Sequence, residues 1–386
     1  MRRGSFFRLR YDGEAMLDEA DAVEQLRACF ERAVERQLMS DVPIGAFLSG
    51  GMDTGAIVAV AGRRLRPLHT FTCGFETRGT QGLETLFDER SESRELAQHL
   101  QTEHHELLLT PEHFEGVVPK VVYHLDEPRV GISYPIYHTA EWIRQHVKVV
   151  LSGVGGDELF AGYPWRYASA LGDPDPAAFA ETYYREWIRF LDEEQKRAFF
   201  SDRILAEIDG FSTRDSFGAL LREAGTDDPL HRALHVDFHT FLHGLLLVDD
   251  KLSMAHSLEA RVPFLDNELL DLCVRIPSAL KFSAERGAKY VLKRAMDGLL
   301  PAAVLERRKQ GFTPPDATWY RGANRAYLEG VILSERALQR DVFRPSALRR
   351  MLDEHMSGRA NHRFLIWSVL CLEWWHRIFV DGEAIQ

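Results

Sequence analysis

Ala46-Phe-Leu-Ser-Gly-Gly-Met-Asp-Thr54 is the stretch on which the reading of this chain turns. An apolar run from Pro43 to Leu48 stops at Ser49-Gly50-Gly51, and Thr54 to Leu65 carries helical spacing, so the order is strand, glycine loop, helix. Consecutive glycines let backbone N–H groups converge with no Cβ in the way. Ser49 and Thr54 add hydroxyls and a helix start adds partial positive charge, so the loop suits a phosphate. Asp53 is then a carboxylate beside an anion site, which makes sense with a divalent cation between them, and Mg²⁺ is the usual companion of nucleotide phosphates. A tight strand-to-helix turn with a capping hydroxyl uses the same residues. The loop has neither the Gly-Lys-Ser/Thr of a Walker loop nor the pattern G-x-G-x-x-G, so its meaning depends on its surroundings.

Outward from that loop the chain alternates. A helix with Val23, Leu26, Phe30, Val34 and Leu38 at helical spacing comes first. Strand 43–48, helix 54–65, strand 68–75, a helix over about 87–101, strand 104–109, two helical stretches to about 146 and strand 148–152 follow. This predicts an α/β fold with a doubly wound parallel sheet and helices on both faces. The last strand runs into Gly153-Val-Gly-Gly-Asp-Glu158, a second glycine loop with carboxylates. If the two strands are neighbours at the switch point, the loops meet where such sheets bind ligands, and Asp53 and Asp157 face one another across a nucleotide as the pair holding Mg²⁺. Ordinary acidic charge at a helix start is the alternative for Asp157 and Glu158.

From about 165 the spacing is helical and no strands return with conviction. Tyr183, Trp187, Phe190 and Leu191 mark one packed helix face. Tyr290, Leu292 and Ala295 lie on a basic helix with Lys289, Lys293 and Arg294; Arg307 to Phe312 reads as an ordered basic loop before Pro314-Pro315; Phe364 to Phe379 reads as a core helix. The expected division is a leading segment and helix over 1–40, an α/β nucleotide core over 41–164, and a mainly helical part over 165–386 that completes the site.

A chain of 386 residues has room for one large or two ordinary domains, and 45% apolar with 27% charged residues is the balance of a soluble globular protein. A formal charge of −11 argues against general affinity for nucleic acid. Cys29, Cys73, Cys273 and Cys371 are dispersed without metal-ligand spacing, which points to reduced thiols in a cytoplasmic protein. No segment is apolar for the length of a membrane span.

Ser49-Gly-Gly-Met-Asp-Thr54 resembles the pyrophosphatase loop, usually S-G-G-x-D-S, of enzymes that cut ATP between its α and β phosphates. Leu151-Ser-Gly-Val-Gly-Gly-Asp-Glu-Leu-Phe-Ala-Gly-Tyr163, Ser257-Leu-Glu-Ala-Arg-Val-Pro-Phe-Leu-Asp266 and Arg308-Lys-Gln-Gly-Phe312 narrow the likeness. From roughly Val23 to Trp375 the chain resembles the synthetase domain of glutamine-dependent asparagine synthetases. The resemblance implies an adenine nucleotide alpha hydrolase-like fold, ATP and Mg²⁺ as cofactors, and a two-step reaction. A carboxylate is adenylated with release of pyrophosphate, and ammonia then displaces AMP. It further implies that Ser49, Gly50, Gly51, Asp53 and Thr54 hold the pyrophosphate end and that Leu48, Phe75, Ser152 and Gly153 line the adenosine site. Asp53 and Asp157 hold the metal, and Lys309, with Asp157 and Glu158, belongs to the catalytic residues. Glu259 and Arg261 are expected as a buried ion pair that organises the domain.

Three departures bear on function. Thr54 stands where serine is usual, and Val154 where asparagine synthetases usually carry glutamate. Met1 is followed by arginine, with no glutaminase domain and its N-terminal cysteine. The expectation is therefore a synthetase half acting on a small-molecule or peptide carboxylate, with ammonia from a missing or separate glutaminase domain; a homodimer is compatible with it. A β-lactam-synthetase-like ligase, or one acting on a peptide or saccharide precursor with a substrate amine, is the alternative. A nucleotide-binding scaffold without catalysis is the second.

Overall fold

The computed structural model describes residues 9–11, 17–171, 175–188, 191–307 and 310–385. Five strands, β1 (Ile44–Phe47), β2 (His69–Phe75), β3 (Glu103–Leu109), β4 (Val149–Leu151) and β5 (Glu259–Arg261), form one sheet in the order β3-β2-β1-β4-β5. Every neighbouring pair is parallel. Central strands of such a sheet are covered on both faces and so carry apolar residues almost throughout. Ile44-Gly-Ala-Phe47 and Val149-Val-Leu151 do so, whereas the edge strand β3 opens with Glu103-His-His-Glu106.

Helices α1 (Glu19–Arg36), α2 (Met52–Ala61) and α3 (Arg90–Leu100) cover one face. There Leu26, Phe30, Val34, Ile57 and Leu96 share a core with Ile44, Ala46, Val149 and Leu151. The other face packs Phe71 and Val150 against Ala140 and Ile143 of α5 (Tyr134–Ile143), next in the chain after α4 (Val118–Leu125). Phe71 is fully buried, and its truncation to alanine in such a setting costs about 3–5 kcal/mol. Asp18 caps α1 by accepting from the Asp21 N–H, and acidic residues fill the first turn while Arg36 ends the helix, all favourable to the helix dipole.

The alternation predicted from the spacing is present, with boundary shifts and three corrections. Gly51 is extended, so the helix after the first loop starts at Met52 and not at Thr54, which brings Asp53 and Thr54 into its first turn. Strands do return after 165. Glu259–Arg261 pairs with β4, and three residues are too few to display a period. Arg261 does pair with Glu259 at 2.7 Å, but Glu259 is exposed, so the pair is not buried; Arg261 is held instead by the carbonyls of Gln37 and Met39, at 2.5 and 2.8 Å. Lys289 is not on the basic helix. That helix runs Tyr290–Ala295, and Lys289 precedes it in the left-handed region at φ 57°. Phe190 lies outside the described residues.

The C-terminal core helix is present as Arg363–Trp375. Trp367 is fully buried there, Trp374 Nε1 donates to the Tyr327 hydroxyl at 2.8 Å and Trp375 Nε1 donates to Asp126 O at 3.3 Å, so these rings serve packing and hydrogen bonding within the fold. All four cysteines are buried free thiols. Among the described residues no helix is long and apolar enough to cross a membrane.

Candidate active site

β2 and β3 lie on one side of β1 while β4 and β5 lie on the other, so the winding reverses between β1 and β4. A crevice opens at the carboxyl ends of the strands at such a point, because the two connections leave in opposite directions. Both glycine loops leave from this point. The first is folded on its own hydroxyls: the Ser49 N–H donates to Thr54 Oγ1 at 3.0 Å, the Gly51 N–H donates to Ser49 Oγ at 3.1 Å, and the two hydroxyl oxygens are 3.0 Å apart. Leu48 below it is buried and donates its N–H to Phe71 O at 2.9 Å, which fixes the loop to the sheet.

The two loops touch. A Cβ on Gly153 would meet Thr54 Cγ2 at 2.9 Å, and a Cβ on Gly156 would meet Asp53 Cγ at 2.8 Å. A side chain at either place would displace Thr54 or Asp53 on the facing loop. The first contact also explains how threonine is tolerated at 54, since its extra methyl lies over the bare backbone of Gly153.

Asp53 and Asp157 come together as their spacing predicts, and they do so around a lysine. Lys289 Nζ is 2.8 and 2.6 Å from the two oxygens of Asp53 and 2.5 Å from Asp157 Oδ1. The side chains of Lys289, Asp53 and Asp157 are 9%, 13% and 9% exposed. Two carboxylates this close in a part-buried cleft repel, and one cation between them removes most of that cost. The left-handed backbone at Lys289 lets its side chain enter the cleft instead of lying along the helix that follows. Nothing in the local sequence marks it, because Lys289 and Asp53 are 236 residues apart.

Around this centre the remaining residues have identifiable partners. Glu158 accepts the Gly155 N–H at 3.1 Å and the Tyr163 hydroxyl at 2.7 Å, closing a turn in which Gly155 has φ 101°. The Ser152 hydroxyl donates to Asp249 Oδ2 at 2.9 Å. Burial pushes the Asp249 carboxyl up to about 6 against the opposing effect of that hydrogen bond. Val154 is half-buried, and its side chain has no polar atom. Phe75 is fully buried with its ring 5.2 Å from that of Phe312, which is 51% exposed, so Phe312 forms the surface above it.

Arg308 and Lys309 lie outside the described residues. Their flanks are anchored at the crevice. Arg307 Nη1 donates to Gly50 O at 2.7 Å, and the Gln310 side-chain amide donates to Leu86 O.

A doubly wound parallel sheet with this pair of loops at its switch point is an adenine nucleotide alpha hydrolase-like fold, the class of ATP-binding α/β enzymes. Within that class the comparison is specific. Residues 25–377 match the family model described as asparagine synthase, and the chain belongs to that family. It is 33% identical to a putative glutamine-hydrolyzing asparagine synthetase of Mycobacterium tuberculosis (strain ATCC 25618 / H37Rv), over 94% of this chain and 58% of the relative. It is 30% identical to glutamine-hydrolyzing asparagine synthetase 1 of Bacillus subtilis (strain 168), over 98% of this chain and 65% of the relative. To glutamine-hydrolyzing asparagine synthetase B of Escherichia coli (strain K12) it is 28% identical over 81% of this chain and 48% of the relative. The chain thus spans less than two thirds of the length of these relatives. The family is one of ligase-type enzymes that use ATP.

Proposed function

We propose that this chain adenylates a substrate carboxylate with ATP and converts the acyl-adenylate to an amide. The observation that carries the reading is the convergence of Asp53 and Asp157 where the two glycine loops meet. Their hard carboxylate oxygens already turn toward one positive charge, and this donor set fits Mg²⁺. Asp53 and Asp157 would hold Mg²⁺, which would supply positive charge to the phosphate oxygens. Ser49, Gly50, Gly51 and Thr54 bind the pyrophosphate end through N–H groups and hydroxyls, and Leu48, Phe75, Ser152 and Gly153 take the adenosine. Lys289, and Lys309 as the resemblance implies, offset the negative charge that grows on the departing pyrophosphate. A carboxylate oxygen of the substrate attacks the α-phosphorus, and the bond to the bridging oxygen breaks with its electron pair going to pyrophosphate. An amine then attacks the carbonyl, loses a proton, and AMP leaves.

In this reading residues 41–164 form the nucleotide core and 165–386 complete the site, a division supported by Lys289 reaching Asp53 from the helical part. Glu158 positions the second loop through Gly155 and Tyr163.

Val154 favours an acceptor other than free aspartate. Valine neither takes the proton from the amine nor binds ammonia, and it makes that side of the pocket apolar. Asp249, with its carboxyl near 6 and bonded to Ser152, is the carboxyl suited to receive the proton. The acceptor is then a larger carboxylate, on a peptide or a saccharide precursor, with nitrogen from ammonia or a substrate amine. Steady-state pyrophosphate release with ATP, MgCl₂, ammonium chloride and aspartate, set against a series of larger carboxylates, tests it. Aspartate is expected to be a poor substrate, and asparagine formed with an ordinary kcat/KM removes the case for a different acceptor.

A further inference from the structure

A second cluster of ligand-type side chains lies at the other end of the sheet. His69 opens β2 and Glu103 opens β3, and the two are paired in register. His105 lies two residues after Glu103, so all three side chains share one face. His69 Nδ1 is 3.1 Å from His105 Nε2, and the same oxygen of Glu103, Oε1, is 3.7 Å from each of those nitrogens. A hydrogen bond between two neutral imidazoles explains the first distance. It does not explain a carboxylate oxygen equidistant from both rings. In a tetrahedral Zn²⁺ site with bonds of about 2.0–2.1 Å, the ligand atoms lie roughly 3.3–3.4 Å apart. The three edges of this triangle bracket that value.

We propose that His69, Glu103 and His105 bind a divalent transition-metal ion, Zn²⁺ in the first instance, and clamp the edge strand β3 to β2. The positions are held by strand register and by packing, since the His105 ring lies on Phe71 at 5.2 Å with the planes 18° apart, and the Phe71 ring meets the edge of Trp142 at 5.5 Å. The side chains of His69, Glu103 and His105 are 28%, 52% and 20% exposed, so the ion has an entry path and a fourth position for water on the open side. Two imidazoles and a carboxylate select a borderline ion over Mg²⁺, the reverse of the preference of Asp53 and Asp157.

The test uses the full chain, free of any histidine tag and stripped with a chelator. Zn²⁺ is titrated in competition with a chromophoric chelator, and Co²⁺ is added separately to read its visible absorption. One saturable equivalent is expected, with Co²⁺ giving the intense bands of a tetrahedral site. His69→Gln and His105→Gln should each weaken binding about tenfold or more, and Asp53→Asn should leave it unchanged. Glu103→Gln, at the most exposed of the three positions, keeps the test valid should a histidine variant fail to fold. It too should weaken binding. Absence of a saturable equivalent, equal affinity in these variants, or loss of binding in Asp53→Asn overturns the proposal.

Discussion

At the carboxyl ends of β1 and β4, Asp53 and Asp157 leave the sheet on loops and meet Lys289, which arrives from the helical part. At the opposite end of β2 and β3, His69, Glu103 and His105 stand on the strands themselves. Both clusters set carboxylate oxygens against nitrogen groups, but they differ in what holds them. Loop residues are placed by glycines, hydroxyls and a distant lysine, so their positions depend on several parts of the chain at once. Strand residues are placed by register and by ring packing on the sheet face. The charges differ too: two carboxylates and one ammonium leave the first cluster with surplus negative charge, which draws a hard cation and accepts phosphate only in its company. The second offers two imidazoles and one carboxylate, a set for a softer ion.

The largest effect expected is on catalysis and should appear at one end only. Asp53→Asn or Asp157→Asn should lower Mg²⁺-dependent pyrophosphate release about a thousandfold while the melting temperature changes little, because Lys289 keeps the remaining carboxylate as its partner and the repulsion between the two carboxylates is relieved. Glu103→Gln should leave the rate unchanged. A comparable loss in Glu103→Gln shows that the two ends are not independent, and near-normal turnover in either aspartate variant removes the carboxylate pair from the site.

A smaller effect isolates Lys289. Lys289→Met leaves two close, largely buried carboxylates without their cation, and breaking a buried pair from one side costs about 3–5 kcal/mol. Thermal unfolding without divalent ions should show the loss, and MgCl₂ should recover more stability in the variant than in the unaltered chain. Equal responses to MgCl₂ mean that the carboxylates do not share one cation.

The smallest effect concerns Asp249. Its carboxyl is raised from an ordinary 3.8 to about 6 by burial, so the folded protein holds a proton that the unfolded chain gives up. Stability associated with this group is therefore full below about pH 4, declines as pH rises to about 6, and is constant above; the whole change is at most about 3 kcal/mol. Asp249→Asn should flatten that part of the stability profile in chemical denaturation across pH 4–7. An unchanged slope shows that Asp249 ionises freely in the folded protein.

The same contrast explains which parts of the molecule could be read from the chain. Ser49 to Thr54 and Gly153 to Glu158 are contiguous, each following an apolar run, so both the sheet that carries them and the meeting of Asp53 with Asp157 follow from local pattern. β5 is three residues long and shows no period. Lys289 depends on a left-handed backbone before its helix and on a contact across 236 residues. His69 and His105, 36 residues apart, become neighbours only once β2 and β3 are in register, and no spacing rule within either segment reveals it. The effect of Thr54 likewise becomes clear only with Gly153 opposite it.

The nucleotide product tests the central claim most directly. ³¹P NMR of the full chain with ATP, MgCl₂, ammonium chloride and a series of carboxylates beginning with aspartate should show carboxylate-dependent AMP and pyrophosphate in equal amounts, without ADP. ADP and orthophosphate formed in step with the carboxylate would contradict the assignment of the Ser49–Thr54 loop to cleavage between the α and β phosphates.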